Sequence, residues 1–173
     1  MKTIIYCVVA LFAVTGCVAQ NSIKEGDHLP VFSLPDKDGV VFNSLDVVGK
    51  QNLVIYFYPK DDTPGCTKEA CTFRDQYNAF KDANALVVGI SGQSAESHKA
   101  FVEKYHLPFL LLCDEGDVVR KLFGVPSSAL GMLPGRVTYV VNKQGVVVLV
   151  FNSLTNAEGH VSEALKALNQ IKQ

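Results

Sequence analysis

The run Leu53-Val54-Ile55-Tyr56-Phe57-Tyr58 constrains the rest of the chain more than any other stretch. Consecutive apolar, β-branched and aromatic residues without polar alternation suit a strand buried on both faces, as at the centre of a parallel or mixed sheet covered by helices. Pro59 ends the run, because it has no amide to give to a ladder. After a polar loop, Cys66, Ala70, Phe73, Tyr77 and Phe80 recur at helical spacing. This predicts one helix that starts at or near Cys66 and carries its apolar face through Phe80.

The pattern then alternates. Leu86–Ile90 reads as a strand, Ala95–Tyr105 as a helix, Phe109–Leu112 as a strand after Pro108, and Asp117–Phe123 as a short helix. Arg136–Val141 and Val146–Phe151 read as strands joined by a hairpin turn across Asn142-Lys143-Gln144-Gly145, and Ala157–Ile171 as a closing helix. Upstream, Ile23–Pro35 reads as a mostly irregular lead-in, followed by an Asp38-Gly39 turn and a short strand Val40–Phe42. The fold class is therefore α/β, with a mixed central sheet flanked by helices. With 173 residues and no internal repeat, residues 20–173 form one domain large enough to bury a core without disulfides or metals. Sixteen basic against 17 acidic side chains leave no electrostatic footprint for nucleic acid.

The first residues read as a leader. Lys2 precedes an apolar run from Ile4 to Val14 that is too short to span a bilayer and ends in small residues. Val14-Thr15-Gly16-Cys17 resembles a bacterial lipobox, which would cut after residue 16 and anchor Cys17 to lipid. A rival cut after Cys17-Val18-Ala19 would remove residues 1–19 and release a soluble protein. Either cut removes Cys7 and places the remaining cysteines in a periplasmic, cell-envelope or secreted setting where disulfides persist.

The chemistry concentrates where the buried strand gives way to the helix, at Pro59-Lys60-Asp61-Asp62-Thr63-Pro64-Gly65-Cys66-Thr67-Lys68-Glu69-Ala70-Cys71. In α/β sheets, sites form at such strand ends. A cysteine in a first helical turn faces unsatisfied amides and the positive end of the helix dipole, which marks a reactive sulfur rather than an inert one. Glu69, on the same helix, is placed to orient an arginine such as Arg74 or Arg136.

Pro59-x-x-x-Thr63-x-x-Cys66, with Cys71 five positions on, resembles the active-site signature of the peroxiredoxins of the Q type, also called bacterioferritin comigratory proteins and related to the AhpC/TSA thiol peroxidases. The likeness extends through Ser97-His98-Lys99-Ala100-Phe101, Glu103-Lys104-Tyr105, Leu107-Pro108-Phe109 and Gly135-Arg136-Val137-Thr138-Tyr139-Val140. It implies a thioredoxin-like fold and a monomeric enzyme without metal, haem or flavin that reduces hydrogen peroxide and organic hydroperoxides. It further implies that Cys66 is the peroxidatic thiolate, that Thr63 and Arg136 bind and polarise the peroxide, that Pro59 shields the pocket, and that Cys71 resolves the sulfenic acid as a disulfide. An external thioredoxin-like dithiol would then reduce that disulfide. Gly92-Gln93, Cys113 and Asn142 depart from the usual pattern without touching the signature.

Five helical residues separate the Cα atoms of Cys66 and Cys71 by roughly 8 to 9 Å, beyond the reach of a disulfide, so oxidation is expected to unwind the first turns of the helix. Competing readings are a structural Cys66-Cys71 disulfide, a metal site, and a non-catalytic sensor that uses the same cysteine switch to bind a partner. The Cys-x4-Cys spacing is looser than metal sites favour, and a thioredoxin-type exchanger would carry Cys-x-x-Cys. His98 and His106 read as surface or cap residues, His28 and His160 carry no signal, and Cys113 reads as a buried, unreactive strand-end thiol.

Overall fold

In a computed structural model of the chain, residues 22–127 and 134–171 are described. The segment expected to be a leader, with Cys7 and Cys17, lies outside them. The element order is β1 (Ser33–Pro35), β2 (Val41–Asn43), a 3-10 turn (Ser44–Asp46), β3 (Asn52–Phe57), α1 (Pro64–Asp75), α2 (Tyr77–Asp82), β4 (Ala85–Ser91), α3 (Ala95–Tyr105), β5 (Leu110–Cys113), α4 (Val118–Leu122), β6 (Val137–Val141), β7 (Val147–Asn152) and α5 (Ala157–Ile171).

The five long strands form one mixed sheet in the order β5-β4-β3-β6-β7. β3 pairs parallel with β4 and antiparallel with β6, so it sits at the centre, and residues 53–57 are at most 1% exposed. Its side chains alternate between two cores. Val54 and Tyr56 join Phe73, Phe80, Phe101 and Leu168 from the layer of α1, α2, α3 and α5. Leu53, Ile55 and Phe57 meet Phe32, Val119 and Phe123 from the N-terminal segment and α4. Burying large side chains on both faces is why the strand tolerates no polar alternation, and each such aromatic contributes on the order of 2 to 3 kcal/mol of transfer free energy.

Two expectations are corrected. The helix that begins near Cys66 does not run unbroken to Phe80: it pinches at Gln76, whose φ of -99° and ψ of 7° end α1 and open α2. The apolar face continues across the break because Phe73 and Phe80 still pack together at 5.4 Å between centroids. The lead-in is also less irregular than the sequence suggests, since Ser33–Pro35 pairs with Val41–Asn43 as a small antiparallel ribbon around the Asp38-Gly39 turn. The boundaries of α3 and α5 match the sequence reading. For α3 the cause is local: Ser94 caps the first turn by accepting from Ser97 N, and His106 closes it in the left-handed region.

Candidate active site

The site lies beyond the C-terminal end of β3. Thr63 is the N-cap of α1 and Pro64 its first residue, where a missing amide costs nothing, so Cys66 falls in the first turn with its sulfur at the positive end of the helix. Cys66 is 2% exposed. Arg136, immediately before β6, is 3% exposed and donates from Nη2 to the Cys66 Sγ at 3.3 Å. Gly65 permits this approach, because a Cβ there would stand 3.3 Å from Arg136 Nη2.

Glu69, one turn after Cys66, accepts from Arg136 Nη1. Of the two arginines offered by the sequence, the fold brings this one to Glu69; Arg74 instead donates to the Tyr105 carbonyl and to Asp75. Glu69 is wholly buried, and burial pushes its carboxyl up to about 8 although the Arg136 guanidinium pulls the other way. A proton on Glu69 spares a wholly buried carboxyl from carrying its negative charge in a dry site. Its Oε1 has no hydrogen-bond partner.

Behind Glu69 stands His160, which the sequence reading passed over. It is wholly buried, with Nδ1 at 2.8 Å from the Thr138 hydroxyl and 3.6 Å from Glu69 Oε1, and Nε2 at 2.8 Å from the Ser153 carbonyl. That carbonyl can only accept, so Nε2 carries the hydrogen and Nδ1 accepts from Thr138. Burial pushes the imidazole down to about 4 and keeps it neutral.

The loop before Cys66 is gripped by α3. Asp61, 6% exposed, accepts from Tyr58 Oη at 2.7 Å and Ser97 Oγ at 2.6 Å and pairs with His98 Nδ1 at 2.8 Å. His98 is thus a buried anchor of the active-site loop, not a surface or cap residue; its other nitrogen faces the Leu112 carbonyl at 3.2 Å. His106 is exposed at the cap of α3, as read. Asp62 holds a left-handed φ of 56° and is bound by Lys104 Nζ at 2.7 and 2.8 Å and by Tyr105 Oη at 2.6 Å.

Thr63 makes no side-chain cap bond; its hydroxyl donates to the Lys60 carbonyl at 3.1 Å. Pro59 is half-buried directly after β3. Cys71 is half-buried on α1, and Cys66, Cys71 and Cys113 are all free thiols. Cys113 ends β5, buried, with its thiol pushed up to about 11 chiefly by that burial. Among the described residues no group of three or more His, Cys, Asp or Glu side chains is arranged to hold a metal ion.

One more buried cation was missed. Arg120, 6% exposed on α4, donates from Nη2 to the Tyr58 carbonyl at 2.8 Å and from Nη1 to the Gly135 carbonyl at 2.9 Å. Spacing gives no sign of it, because those partners lie 62 and 15 residues away.

Comparison with known proteins agrees with this geometry. The AhpC/TSA family model matches residues 25–150. The chloroplastic peroxiredoxin Q of Sedum lineare is 55% identical over 150 residues, covering 87% of this chain and 80% of the relative. Among solved structures, peroxidoxin BcpB from Mycobacterium tuberculosis superposes with a TM-score of 0.81 at 35% identity, covering 87% of this chain and 99% of that one. A Xanthomonas campestris bacterioferritin comigratory protein, whose study concerns alkyl peroxide reduction, superposes with a TM-score of 0.76 at 30% identity, covering 85% and 100%. The thioredoxin-like architecture of these neighbours is that of the five-stranded mixed sheet described above. The chain belongs to the AhpC/TSA family, and within it to the peroxiredoxin Q enzymes.

Proposed function

We propose that this enzyme reduces hydrogen peroxide and organic hydroperoxides at Cys66 and forms an intramolecular Cys66-Cys71 disulfide that an external thioredoxin-like dithiol reduces. The observation that carries this reading is the Cys66 sulfur in the first turn of α1 with Arg136 Nη2 at 3.3 Å. The thiolate attacks the terminal peroxide oxygen, the S–O bond forms as the O–O bond breaks, and the departing alkoxide or hydroxide takes up a proton. Negative charge moves from sulfur to the leaving oxygen, so a donor that reaches both atoms stabilises the transition state more than the ground state. Arg136 has that shape, because its fork is fixed by Glu69 on one arm while the other faces the sulfur. With its proton committed to the Lys60 carbonyl, the Thr63 hydroxyl offers a lone pair to the O–H of the incoming peroxide. Pro59, lacking an N–H, walls the pocket without competing for the sulfur.

The Cys71 thiol then attacks the sulfenic sulfur of Cys66 and expels water. Both cysteines lie on α1, so this step requires the helix to unwind between them. The identity to proteins named as peroxiredoxin Q does not favour the non-catalytic sensor.

For the N-terminal segment we propose a leader ending at residue 16 or 19, a single mature domain, and a monomer. The Sedum lineare relative is named as chloroplastic, a compartment also reached through a targeting segment. Intact mass of the protein from its host separates a diacylated Cys17 from a Gln20 N-terminus.

The direct test of the chemistry is intact mass and peptide mapping after one equivalent of hydrogen peroxide is given to the reduced protein begun after Ala19. The expected result is loss of two hydrogens mapped to Cys66 and Cys71, and a trapped sulfenic acid at Cys66 in Cys71→Ser. An unreacted Cys66, or a bond to Cys113, overturns the assignment.

A further inference from the structure

We propose that Arg120 is a positioning residue that joins the two strand ends carrying the active-site walls, holding Pro59 and Arg136 in register across Cys66. The inference rests on the proposed role of Cys66.

The antiparallel ladder between β3 and β6 ends at the pair Phe57 and Val137. β3 stops at Phe57, and the Tyr58 amide, which faces β4 in the ordinary alternation of the strand, donates to the Ile90 carbonyl rather than to β6. Pro59 then has no amide to continue any ladder. At this point the Arg120 guanidinium stands where backbone pairing has stopped, with one arm on the Tyr58 carbonyl at 2.8 Å and the other on the Gly135 carbonyl at 2.9 Å. These carbonyls belong to the residues immediately before Pro59 and Arg136. One rigid, planar group therefore sets the exit direction of both, and a flexible ammonium could not bridge two acceptors with the same fixed geometry.

Arg120 is itself held from three sides. Its backbone amide donates to Asp114 Oδ2 at 2.8 Å, its Nε lies 3.3 Å from Asp117 Oδ1, and its guanidinium sits 5.6 Å from the Phe57 ring centroid. The chain around Gly135 is equally tight, since a Cβ there would stand 2.0 Å from the Pro126 carbonyl oxygen. A buried cation is costly unless its donors are matched; here Asp117 takes Nε and two backbone carbonyls of the site take the terminal arms, which is the arrangement expected of a spacer between them.

The test uses the reduced full chain and the variants Arg120→Met and Arg120→Lys. Three quantities are read: the rate of Cys66 oxidation by hydrogen peroxide, the rate of Cys66 alkylation by iodoacetamide at alkaline pH, and amide hydrogen exchange. In Arg120→Met, oxidation should slow about 100-fold, the scale of an ångström misplacement of reacting groups, with alkylation within about threefold of the parent. Amides at 58–63 and 135–138 should lose protection while those at 53–57 keep it. Arg120→Lys, which keeps the charge and reaches one carbonyl, should recover about tenfold of the lost rate. Oxidation at the parent rate in Arg120→Met overturns the proposal, as does an equal fall in oxidation and alkylation. If Arg120→Met does not fold, Arg120→Lys decides: oxidation about tenfold slower with unchanged alkylation supports the proposal, and parental oxidation overturns it. The exchange measurement does not depend on peroxide chemistry, so a parent whose Cys66 fails to react refutes the proposed function separately.

Discussion

Protonating His160 should destabilise the fold as the solution is acidified, and the size of the effect follows from its surroundings. The ring is wholly buried, its Nε2 donates to the Ser153 carbonyl, its Nδ1 accepts from Thr138, and Phe151 packs edge-on at 4.8 Å. The charged or titratable neighbours are Arg136, which opposes a second positive charge, and Glu69, which is neutral in acid because burial lifts it to about 8. The imidazole therefore falls from 6.5 to about 4 on folding. A depressed folded value means that the unfolded chain binds the proton first, so the stabilisation is present above pH 6.5 and is lost as pH falls toward 4. A shift of about 2.5 units at 1.36 kcal/mol each amounts to about 3 kcal/mol. Urea unfolding of the parent and of His160→Gln at about pH 7.5 and about pH 4.5 isolates the effect, because other titrating groups are common to both. Gln keeps a donor for Ser153 but cannot take up a proton. Its stability deficit relative to the parent should shrink by about 2.5 kcal/mol between the two pH values. An unchanged deficit would refute the reasoning and would mean that Glu69 is ionised in acid and holds the imidazolium.

Other outcomes follow from the same geometry. Arg136→Lys removes the fork that Glu69 orients, and peroxide kcat/KM should fall by about 100-fold or more in a stopped-flow assay with thermal stability little changed. Glu69→Ala leaves Arg136 Nη1 without the acceptor that orients it and should slow peroxide reduction about tenfold or more in the same assay. Gly65→Ala places a methyl 3.3 Å from Arg136 Nη2; the guanidinium must shift, and peroxide consumption should slow about tenfold with unchanged far-ultraviolet dichroism. Gly135→Ala, whose new Cβ would lie 2.0 Å from the Pro126 carbonyl oxygen, should lower stability by about 3 kcal/mol or prevent folding, as read by thermal melting.

Elements whose signals are local could be read from sequence, and groups defined by long-range contacts could not. β3 announced itself because both faces are buried, and α3 because Ser94 and His106 close it within its own residues. The break at Gln76 was hidden because side-chain periodicity records which face is buried, and Phe73 and Phe80 share a face whether or not the backbone between them is continuous. Cys66, Thr63 and Pro59 stand in one short segment and carry a signature. Arg136, 70 residues from Cys66, gains a role toward peroxide only through resemblance to a family. His98 and His160 look unremarkable in sequence because their partners, Asp61 at 37 residues and Thr138 at 22, meet them only after the sheet has formed. Polar residues in the middle of an amphipathic helix read as solvent-facing until a buried acceptor supplies the reason for their place.

The pinch at Gln76 bears on how readily the oxidised enzyme is recycled. Phe73 stacks on Tyr56 at 4.6 Å and Arg74 holds the Tyr105 carbonyl, so the last turn of α1 is fastened to the sheet and to α3, while α2 is a separate segment beyond the break. On the proposed route, joining Cys66 to Cys71 melts only the turns before Phe73, and the free energy of those turns is stored against the disulfide. The midpoint potential of the thiol couple then becomes a property of a few helical residues: every 1.4 kcal/mol by which they favour the helical, reduced form moves it about 30 mV in the oxidising direction. Substitutions on the outer side of α1, such as at the exposed Lys68 or the half-buried Thr72, would thereby tune how strong a reductant the enzyme requires without touching a group that meets peroxide.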